Sequence, residues 1–444
     1  MSDRDTIAAI ATPPGVGGIG VIRVSGPRAL EIGESLTRSR LDTGRIQLRD
    51  FIDAEGRVLD QGLALCFAAP RSFTGEDVVE LQGHGGPVLQ EMLLARLLEL
   101  GCRLARPGEF SERAFLNGKL DLAQAEAIAD LIESGSQAAA RAAMKSLQGV
   151  FSERIQRLVE AVIDLRAFVE AALDFAEEEI DFLGESDLLD RLEGLIEDTR
   201  GVLEEAERGR LLNEGLRIAI AGRPNAGKSS LLNRLAGYDA AIVTEIAGTT
   251  RDVIREHIAL RGIPLHVIDT AGLRQSDDPV EQEGIRRAWR EIEQADAVLM
   301  LIDATTGITD EDRTILERLG DLPVIRVYSK ADLLEQASIP DDEGLLISSR
   351  SGEGMEALID RILGQQSARS GEDSAFLARA RHVDALQRAL AALQQARAVY
   401  ADTASGELMA EDLRQAQQAL SEITGEFTTE DLLGRIFGSF CIGK

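Results

Sequence analysis

The sequence predicts a multidomain α+β protein: an N-terminal α+β domain, an α-helical bundle, and an α/β domain inserted into that bundle. Three observations carry this expectation. The chain has 444 residues, and at about 150 residues per domain that length suggests roughly three domains. At Leu120 a mixture of short strand patterns and turns gives way abruptly to Ala, Leu, Glu, Arg and Gln, with apolar residues at three- and four-residue spacing. Near Gly215 the pattern becomes alternating apolar runs and amphipathic segments, and after the polar stretch Gly364–Gly371 helical texture resumes. The boundaries so drawn are 1–118 for the N-terminal domain, 119–212 and 371–444 for the two parts of the bundle, and 213–370 for the insert.

Within the first domain, Thr6–Ala11, Gly20–Val24 and Asp77–Leu81 read as strands, and Gly86–Gly101 carries a helical apolar period ended by glycine. In the bundle, Leu158, Val162, Leu165, Val169 and Leu173 mark one stripe of a long helix. In the insert, apolar runs fall at Arg217–Ala221, His266–Ile268, Ala297–Ile302, Pro323–Tyr328 and Leu345–Ile347. Amphipathic segments separate most of them, which predicts a parallel sheet with helices on both faces. No fixed-period repeat is visible.

Hydrophobic residues make up 44% and charged residues 28%, ordinary values for a globular protein that exclude a disordered tail or a collagen-like chain. The most promising apolar stretch, Ala297–Ile302, stops at Asp303, far short of the ~20 residues of a spanning helix. The start, Met-Ser-Asp-Arg-Asp, has no basic segment followed by an apolar one, so a cytoplasmic protein with no membrane partner is expected. Cys66, Cys102 and Cys441 are too few and too scattered for a disulfide framework or a zinc site. Cys66, inside the run Leu63–Phe67, reads as a small buried hydrophobe. The formal net charge is −28, so nucleic acid would be repelled unless a basic patch is segregated or another subunit supplies the contact. Much of the acidity is local: Glu170–Glu207 holds 15 acidic residues against 2 basic ones.

The chemistry lies in the insert. Gly222-Arg-Pro-Asn-Ala-Gly-Lys-Ser229 fits G-x-x-x-x-G-K-[ST] completely, after a strand and before the helical Ser230–Leu235. This is the setting of a P-loop, in which Asn225, Ala226, Gly227, Lys228, Ser229 and Ser230 surround phosphate oxygens with backbone N–H groups and a helix N-terminus. Lys228 is expected to reach the β- and γ-phosphates and Ser229 to place its hydroxyl on Mg²⁺. Asp269-Thr270-Ala271-Gly272 follows a second strand; Asp269 can hold Mg²⁺ through water and the Gly272 N–H can sense the γ-phosphate. Thr244-Glu245-Ile246-Ala247-Gly248-Thr249-Thr250 supplies hydroxyls for a switch loop. In Ser329-Lys330-Ala331-Asp332, Asp332 offers a carboxylate to the N1–H and 2-amino donors of guanine, which adenine lacks. Ser349, just beyond the last apolar run, joins the same nucleotide site. The ordered set resembles the GTPase superfamily and makes GTP the expected nucleotide. Ser329 stands where N-K-x-D motifs carry Asn, leaving Lys330 and Asp332 to carry guanine specificity. Leu273 stands where many GTPases place a Gln, and leucine cannot hydrogen-bond an attacking water. Glu281, in Pro279–Gly284, is either a water-orienting carboxylate or a solvated charge at a helix start.

Further motifs are absent from generic GTPases: Pro14–Gly20, Ser72–Asp77, His84-Gly-Gly86, Arg106–Phe110, Arg113–Lys119 and Phe440-Cys-Ile-Gly-Lys444. With these, essentially the whole chain resembles the tRNA modification GTPases of the MnmE/TrmE family. The resemblance implies a tetrahydrofolate-binding-like N-terminal domain that forms a homodimer, a helical domain, and a P-loop G domain inserted into it. It implies that Arg23, Glu80, Lys119 and Lys444 contact the one-carbon donor, 5,10-methylenetetrahydrofolate, for which 5-formyltetrahydrofolate is an analogue. It further implies K⁺ held by Asn225, Thr244, Ile246 and Thr249, a second Mg²⁺-side hydroxyl at Thr250, and Glu281 as the water-orienting acid of a GTPase activated by K⁺-dependent G-domain pairing. The implied partners are tRNA and the FAD-dependent MnmG/GidA protein in a heterotetramer, and the implied product is a 5-carboxymethylaminomethyl or 5-aminomethyl wobble uridine. Cys441 matches the family's C-terminal cysteine, either as a nucleophile or as a structural thiol. Gly15–Gly20 also fits G-x-G-x-x-G, but Val21–Val24 reads as a strand and not a helix, so no dinucleotide site is expected. The competing expectation is a regulatory GTPase switch of the ribosome-assembly type without modification chemistry; the folate-type motifs and the Phe440–Lys444 end argue against it.

Overall fold

The computed structural model describes residues 5–174, 185–237, 257–269, 289–290, 292–334, 344–364, 376–426 and 429–443. Its contacts divide the chain into two units, Met1–Ala129 with Leu420–Lys444, and Asp130–Ala419.

In the first unit, the apolar run at the start of the chain forms β1 (Ile7–Ile10), which is buried on both faces. It pairs antiparallel with β2 (Gly17–Ser25) and parallel with β6 (Arg103–Leu104). With β3 (Ile46–Ile52), β4 (Val58–Phe67) and β5 (Val78–Gly85), these make a six-stranded sheet ordered β3-β4-β5-β2-β1-β6. Period-two alternation sends Ala8, Ile22, Val24, Val79 and Leu81 into one core, under α1 (Ala29–Thr37) and α2 (Pro87–Glu99). Ile7 and Ala9 point the other way and pack on Ala105 and Phe110. The hairpin of β3 and β4 extends the sheet past the three strands read from the sequence. Ile46, Leu48, Leu63 and Phe67 in it are exposed, so its apolar residues do not fall on a single buried face. Helix α4 (Leu122–Glu133) meets the C-terminal helix α13 (Glu430–Gly438), where Leu122 and Ala125 pack with Phe437 and Phe440.

The second unit contains α5 (Gln137–Leu147), α6 (Val150–Asp174), α7 (Glu185–Glu214), α11 (Ala380–Thr403) and most of α12 (Gly406–Thr424). Leu158, Val162, Leu165 and Val169 are buried along α6, as their spacing predicts. Between α7 and α11 lie β7 (Leu216–Gly222), α8 (Lys228–Ala236), β8 (His257–Leu260), β9 (Ile263–Asp269), β10 (Ala297–Asp303), α9 (Asp310–Leu319), β11 (Val324–Ser329), β12 (Leu345–Leu346) and α10 (Met355–Leu363). The sheet order is β12-β11-β10-β7-β9-β8. Five strands are parallel, but β8 runs antiparallel to β9 through a tight turn at Arg261 and Gly262. The parallel sheet expected from the sequence is thus extended at this edge by one antiparallel strand: a two-residue connection leaves no room for the crossover that a parallel pair needs.

The two ends of this insert meet. Helix α7 passes into β7 through Gly215, at φ +69°, where a Cβ would lie 2.4 Å from the Pro264 carbonyl oxygen. Six residues earlier a Cβ on Gly209 would lie 2.5 Å from the carbonyl oxygen of Phe376, on the returning chain. The Glu214 carboxylate accepts the Ala380 N–H at 3.0 Å, and Phe376 stacks on Phe151 with ring centroids 4.5 Å apart.

Helix α3 (Glu109–Leu116) of the first unit carries a buried carboxylate. Glu109 accepts from Arg103 at 2.6 Å, from Arg113 at 3.1 Å and from the Arg106 N–H at 2.8 Å. Burial pushes its carboxyl up, but these donors outweigh it and hold the group at about 2. A carboxyl so depressed stabilises the fold above its unfolded pKa of about 4.3, and that contribution is lost as pH falls towards 2. Amide exchange in β1 is therefore expected to accelerate as pH falls from about 4.3 to about 2, after correction for the intrinsic rate. Glu109→Ala, which leaves Arg103 with Asp5 alone and Arg113 with Asp5 and Glu76, is expected to cost about 1–3 kcal/mol in urea unfolding of this unit.

Candidate functional site

The nucleotide motifs gather at the C-terminal edge of the second sheet. Strand β7 lies between β10 and β9, where the strand order reverses and α/β sheets open a ligand crevice. Gly222 ends β7 at φ +142°, and a Cβ there would lie 2.4 Å from the Leu301 carbonyl oxygen of β10. Asn225 also takes left-handed backbone, at φ +64°. The loop then enters α8 at Lys228, whose first turn presents the unpaired N–H groups of a helix start. Lys228 Nζ donates to the Gly222 and Arg223 carbonyls at 2.7 and 2.9 Å, so the ammonium lies across the mouth of the loop. Arg223 fixes the loop from outside: it pairs with the fully buried Asp312 of α9 at 3.0 Å and donates to the Thr306 hydroxyl at 2.8 Å.

Ser329, at the end of β11, is buried, and its hydroxyl donates to the Ala226 carbonyl at 2.6 Å. The residue that replaces the usual Asn thus ties the base-reading loop to the phosphate loop. Lys330, at φ +63°, pairs with Asp303 at 2.6 Å. Burial pushes the Asp303 carboxyl up, but hydrogen bonds from Lys330 and Thr305 prevail and hold it below the usual range. Asp332 is exposed at its edge and accepts from the buried Ser348 hydroxyl at 2.7 Å; Ser349 follows, half-buried. Asn225, Ala226, Gly227, Lys228, Ser229, Ser230, Lys330, Asp332 and Ser349 therefore share this strand edge, and β9 ends there in Asp269, beside Ile220 of β7. Thr244–Thr250, Thr270–Gly272, Leu273 and Glu281 lie outside the described residues. Sequence reasoning missed Arg223, Asp303 and Ser348, although Asp303 and Ser348 follow directly on apolar runs that it had read as strands.

A second cluster sits in the N-terminal unit. Arg23 of β2 faces Glu80 of β5 across the ladder, and both its Nε and Nη2 donate to Glu80 Oε1, at 2.9 and 2.8 Å. Glu80 Oε2 has no partner among the described residues. The guanidinium carbon stands 5.1 Å from the Phe73 ring centroid and 5.7 Å from that of Phe110. Lys119 Nζ donates to the Pro70 carbonyl at 3.0 Å, and the Asn117 amide donates to the Thr74 carbonyl at 2.6 Å. The same loop is tied to the sheet by Ser25, which bonds Thr74 at 2.7 Å and Glu76 at 2.8 Å; Glu76 also pairs with Arg113 at 3.0 Å. The C-terminal segment comes to the end of β1, where Gly443 lies against the Ile10 carbonyl. Cys441 is exposed, and Lys444 lies outside the described residues. Cys66 and Cys102 are buried, and burial pushes their thiols up to about 11, so they stay neutral at ordinary pH. The glycine-rich Gly17–Gly20 belongs to strand β2, which leaves no helix N-terminus for a dinucleotide.

Two substitutions separate the roles in the nucleotide loops. Gly222→Ala drives a Cβ into the Leu301 carbonyl and is expected to abolish guanine-nucleotide binding in calorimetric titration. Ser329→Ala leaves the loop geometry possible but removes one buried hydrogen bond. It is expected to cost about 1–2 kcal/mol of stability, read by the fluorescence of Trp289, which packs in the core of the same sheet.

Two known protein families match the chain. The family described as the GTP-binding protein TrmE N-terminus matches residues 6–119, and the MnmE helical domain family matches residues 122–441. Among solved structures, the chain is similar to Aquifex aeolicus Era bound to GDP·AlF4⁻, with 26% identity over 40% of this chain and 66% of that one and a TM-score of 0.26. It is also similar to the G domain of the T. maritima FeoB iron transporter, with 23% identity over 33% of this chain and 96% of that one and a TM-score of 0.24. The chain thus spans just under two thirds of the length of Era, and the assignment rests on the family matches, which together run from residue 6 to residue 441. The chain belongs to the MnmE/TrmE family.

Proposed function

We propose that this protein binds GTP with Mg²⁺, hydrolyses it, and uses the cycle to serve C5 modification of the wobble uridine in tRNA. The observation that carries the proposal is the Ser329–Ala226 hydrogen bond, which holds a guanine-type edge and a phosphate loop in one frame. In this reading Lys228 and the α8 N-terminus neutralise phosphate charge, and the Ser229 and Thr250 hydroxyls serve Mg²⁺. Asp332, kept in place by Ser348, accepts the guanine N1–H and 2-amino donors. Leu273 leaves the attacking water to Glu281. Asn225, Thr244, Ile246 and Thr249 would hold K⁺ between paired G domains, supplying charge stabilisation that an arginine finger otherwise provides, a role worth about 10³–10⁵ in rate.

The N-terminal cluster fits a folate one-carbon donor. The free Oε2 of Glu80 can accept from an N–H or amino group of a pterin edge, while Lys119 and Lys444 supply cations for the acidic tail. The folate supplies the one-carbon unit when bound; Arg23 holds the Glu80 carboxylate in place, and Phe73 and Phe110 pack beside that pair. Homodimerisation through this unit is supported by the exposed apolar residues Ile46, Leu48, Leu63 and Phe67 on its sheet. Redox chemistry would belong to the FAD-dependent MnmG/GidA partner, and a cytoplasmic location agrees with the finding that no helix among the described residues is long and apolar enough to cross a membrane.

Competition among GTP, ATP and XTP tests the nucleotide assignment. GTP is expected to exclude ATP, and Asp332→Asn is expected to shift preference towards XTP, since an amide can donate to the xanthine 2-oxo group; equal binding of ATP and GTP defeats the proposal. Calorimetry with 5-formyltetrahydrofolate tests the second cluster. Glu80→Ala is expected to abolish binding with GTP affinity unchanged, and folate binding that survives this substitution removes Glu80 from the site.

A further inference from the structure

One surface of the N-terminal unit has a charge arrangement that neither site uses. Between Arg38 and Arg49 stand four arginines and a single acid, Asp42, in a chain of net charge −28. Arg38 terminates α1 in left-handed backbone, Arg40 follows in the loop, Arg45 immediately precedes β3, and Arg49 lies within β3. Other arginines of this unit hold carboxylates, among them Arg23, Arg28, Arg57, Arg103 and Arg113. None of these four has a carboxylate partner among the described residues.

Apart from the exposed Asp42, the acids flanking this stretch are engaged elsewhere. Asp53 and Glu55 pair with Arg57, Asp50 accepts from Gln61, and Glu34 accepts the Leu41 N–H. Arg49 is held by neutral acceptors alone: the Leu48 carbonyl at 2.9 Å, the Arg40 carbonyl at 3.4 Å and the Gln47 side chain. Its Nε is buried with no partner. Its guanidinium is thus fixed in place against the Arg40 backbone with no carboxylate on it, while Arg38, Arg40 and Arg45 are exposed. Strand parity places Arg45 and Arg49 on the side of β3 that carries Phe51, the side packed under α1, whose C-terminus bears Arg38.

Concentrated like charge without counter-charges is self-repulsive, and a polyanion relieves it; the planar guanidinium fork matches phosphate oxygens. We propose that the Arg38–Arg49 surface grips the sugar–phosphate backbone of the tRNA substrate. The inference rests on the tRNA reading above and adds the surface that holds the nucleic acid. Backbone contacts of this kind position a nucleic acid without reading its sequence, which suits a protein whose target is one base presented in a larger fold.

Fluorescence anisotropy of labelled tRNA with the full chain, over a series of salt concentrations, tests the proposal. The Arg40→Gln, Arg45→Gln double variant removes only exposed side chains. It is expected to bind tRNA roughly tenfold more weakly at about 0.1 M salt, with the slope of log K against log salt shallower by about 2. Adding Arg49→Gln is expected to weaken binding further, and the Arg40→Lys, Arg45→Lys variant is expected to retain most of it, with GTP turnover and thermal unfolding of both double variants unchanged. Wild-type affinity and slope in the double glutamine variant would overturn the proposed surface and leave the tRNA reading standing. A wild-type chain that shows no salt-dependent tRNA binding would overturn the surface together with that reading. Loss of affinity for polyglutamate with tRNA binding untouched would assign the surface to an acidic protein and overturn the proposal.

Discussion

The close backbone approach at the root of the inserted domain is the constraint on which the second unit depends. A helical domain can be interrupted by an α/β fold only if the departing and returning chains meet. Here they meet at glycine, since a Cβ on Gly209 would strike the Phe376 carbonyl of the returning chain, while one on Gly215 would strike that of Pro264 in β9 of the insert. The contact is sealed by the Phe151–Phe376 stack, by Ser146 bonding both polar backbone groups of Leu377, and by the 2.7 Å pair of Arg379 with Asp130. Helix α7 therefore runs into β7 with one intervening residue. Strand β7 is in turn the strand that carries the phosphate loop, so this root sets where the nucleotide chemistry is presented.

From that root the site is assembled by short polar ties between neighbouring loops. Arg223 anchors the phosphate loop to α9 through Asp312, Ser329 links it to β11 through Ala226, Lys330 rests on Asp303, and Asp332 on Ser348. Two of the acceptors in this chain are backbone or fully buried groups, which leaves little freedom for one loop to move without the others. A departure from the usual base-reading motif is thus compensated structurally: serine is short enough to reach the P-loop carbonyl while remaining buried. The β8–β9 turn is also tied to the helical part of the unit, since the Ser136 hydroxyl donates to the Gly262 carbonyl at 2.7 Å.

Charge is distributed unevenly. The N-terminal unit holds a network in which buried Glu109 and Arg113 and half-buried Glu76 pair with one another and with exposed Arg103 and Asp5. The same unit keeps Arg23 and Glu80 half-buried and mutually satisfied, with one carboxylate oxygen to spare. Its arginines near α1 and β3 remain without counter-charges, while the strongest concentration of acid, Glu170–Glu207, lies in the other unit. A net charge of −28 therefore describes neither the Arg23–Glu80 cluster nor the arginines near α1 and β3.

Much was legible from the residues alone. The P-loop, the strand runs at Arg217–Ala221 and Ala297–Ile302, the α6 stripe and the family motifs each depend on local spacing, and local spacing is written in the chain. Tertiary structure decided what spacing cannot express. The hairpin of β3 and β4 was only partly read because its apolar residues lie on an open face, where alternation no longer reports burial. The antiparallel turn of β8 onto β9 breaks a parallel pattern through a two-residue connection that resembles any other loop. Arg23 and Glu80, 57 residues apart, become partners only because β2 and β5 pair in one register. That Ser329 would reach across 103 residues to the Ala226 carbonyl follows from the order of parallel strands. The sequence determined which chemical groups exist and in what local conformation, because those depend on nearest neighbours; which groups touch was decided by the packing of strands distant along the chain.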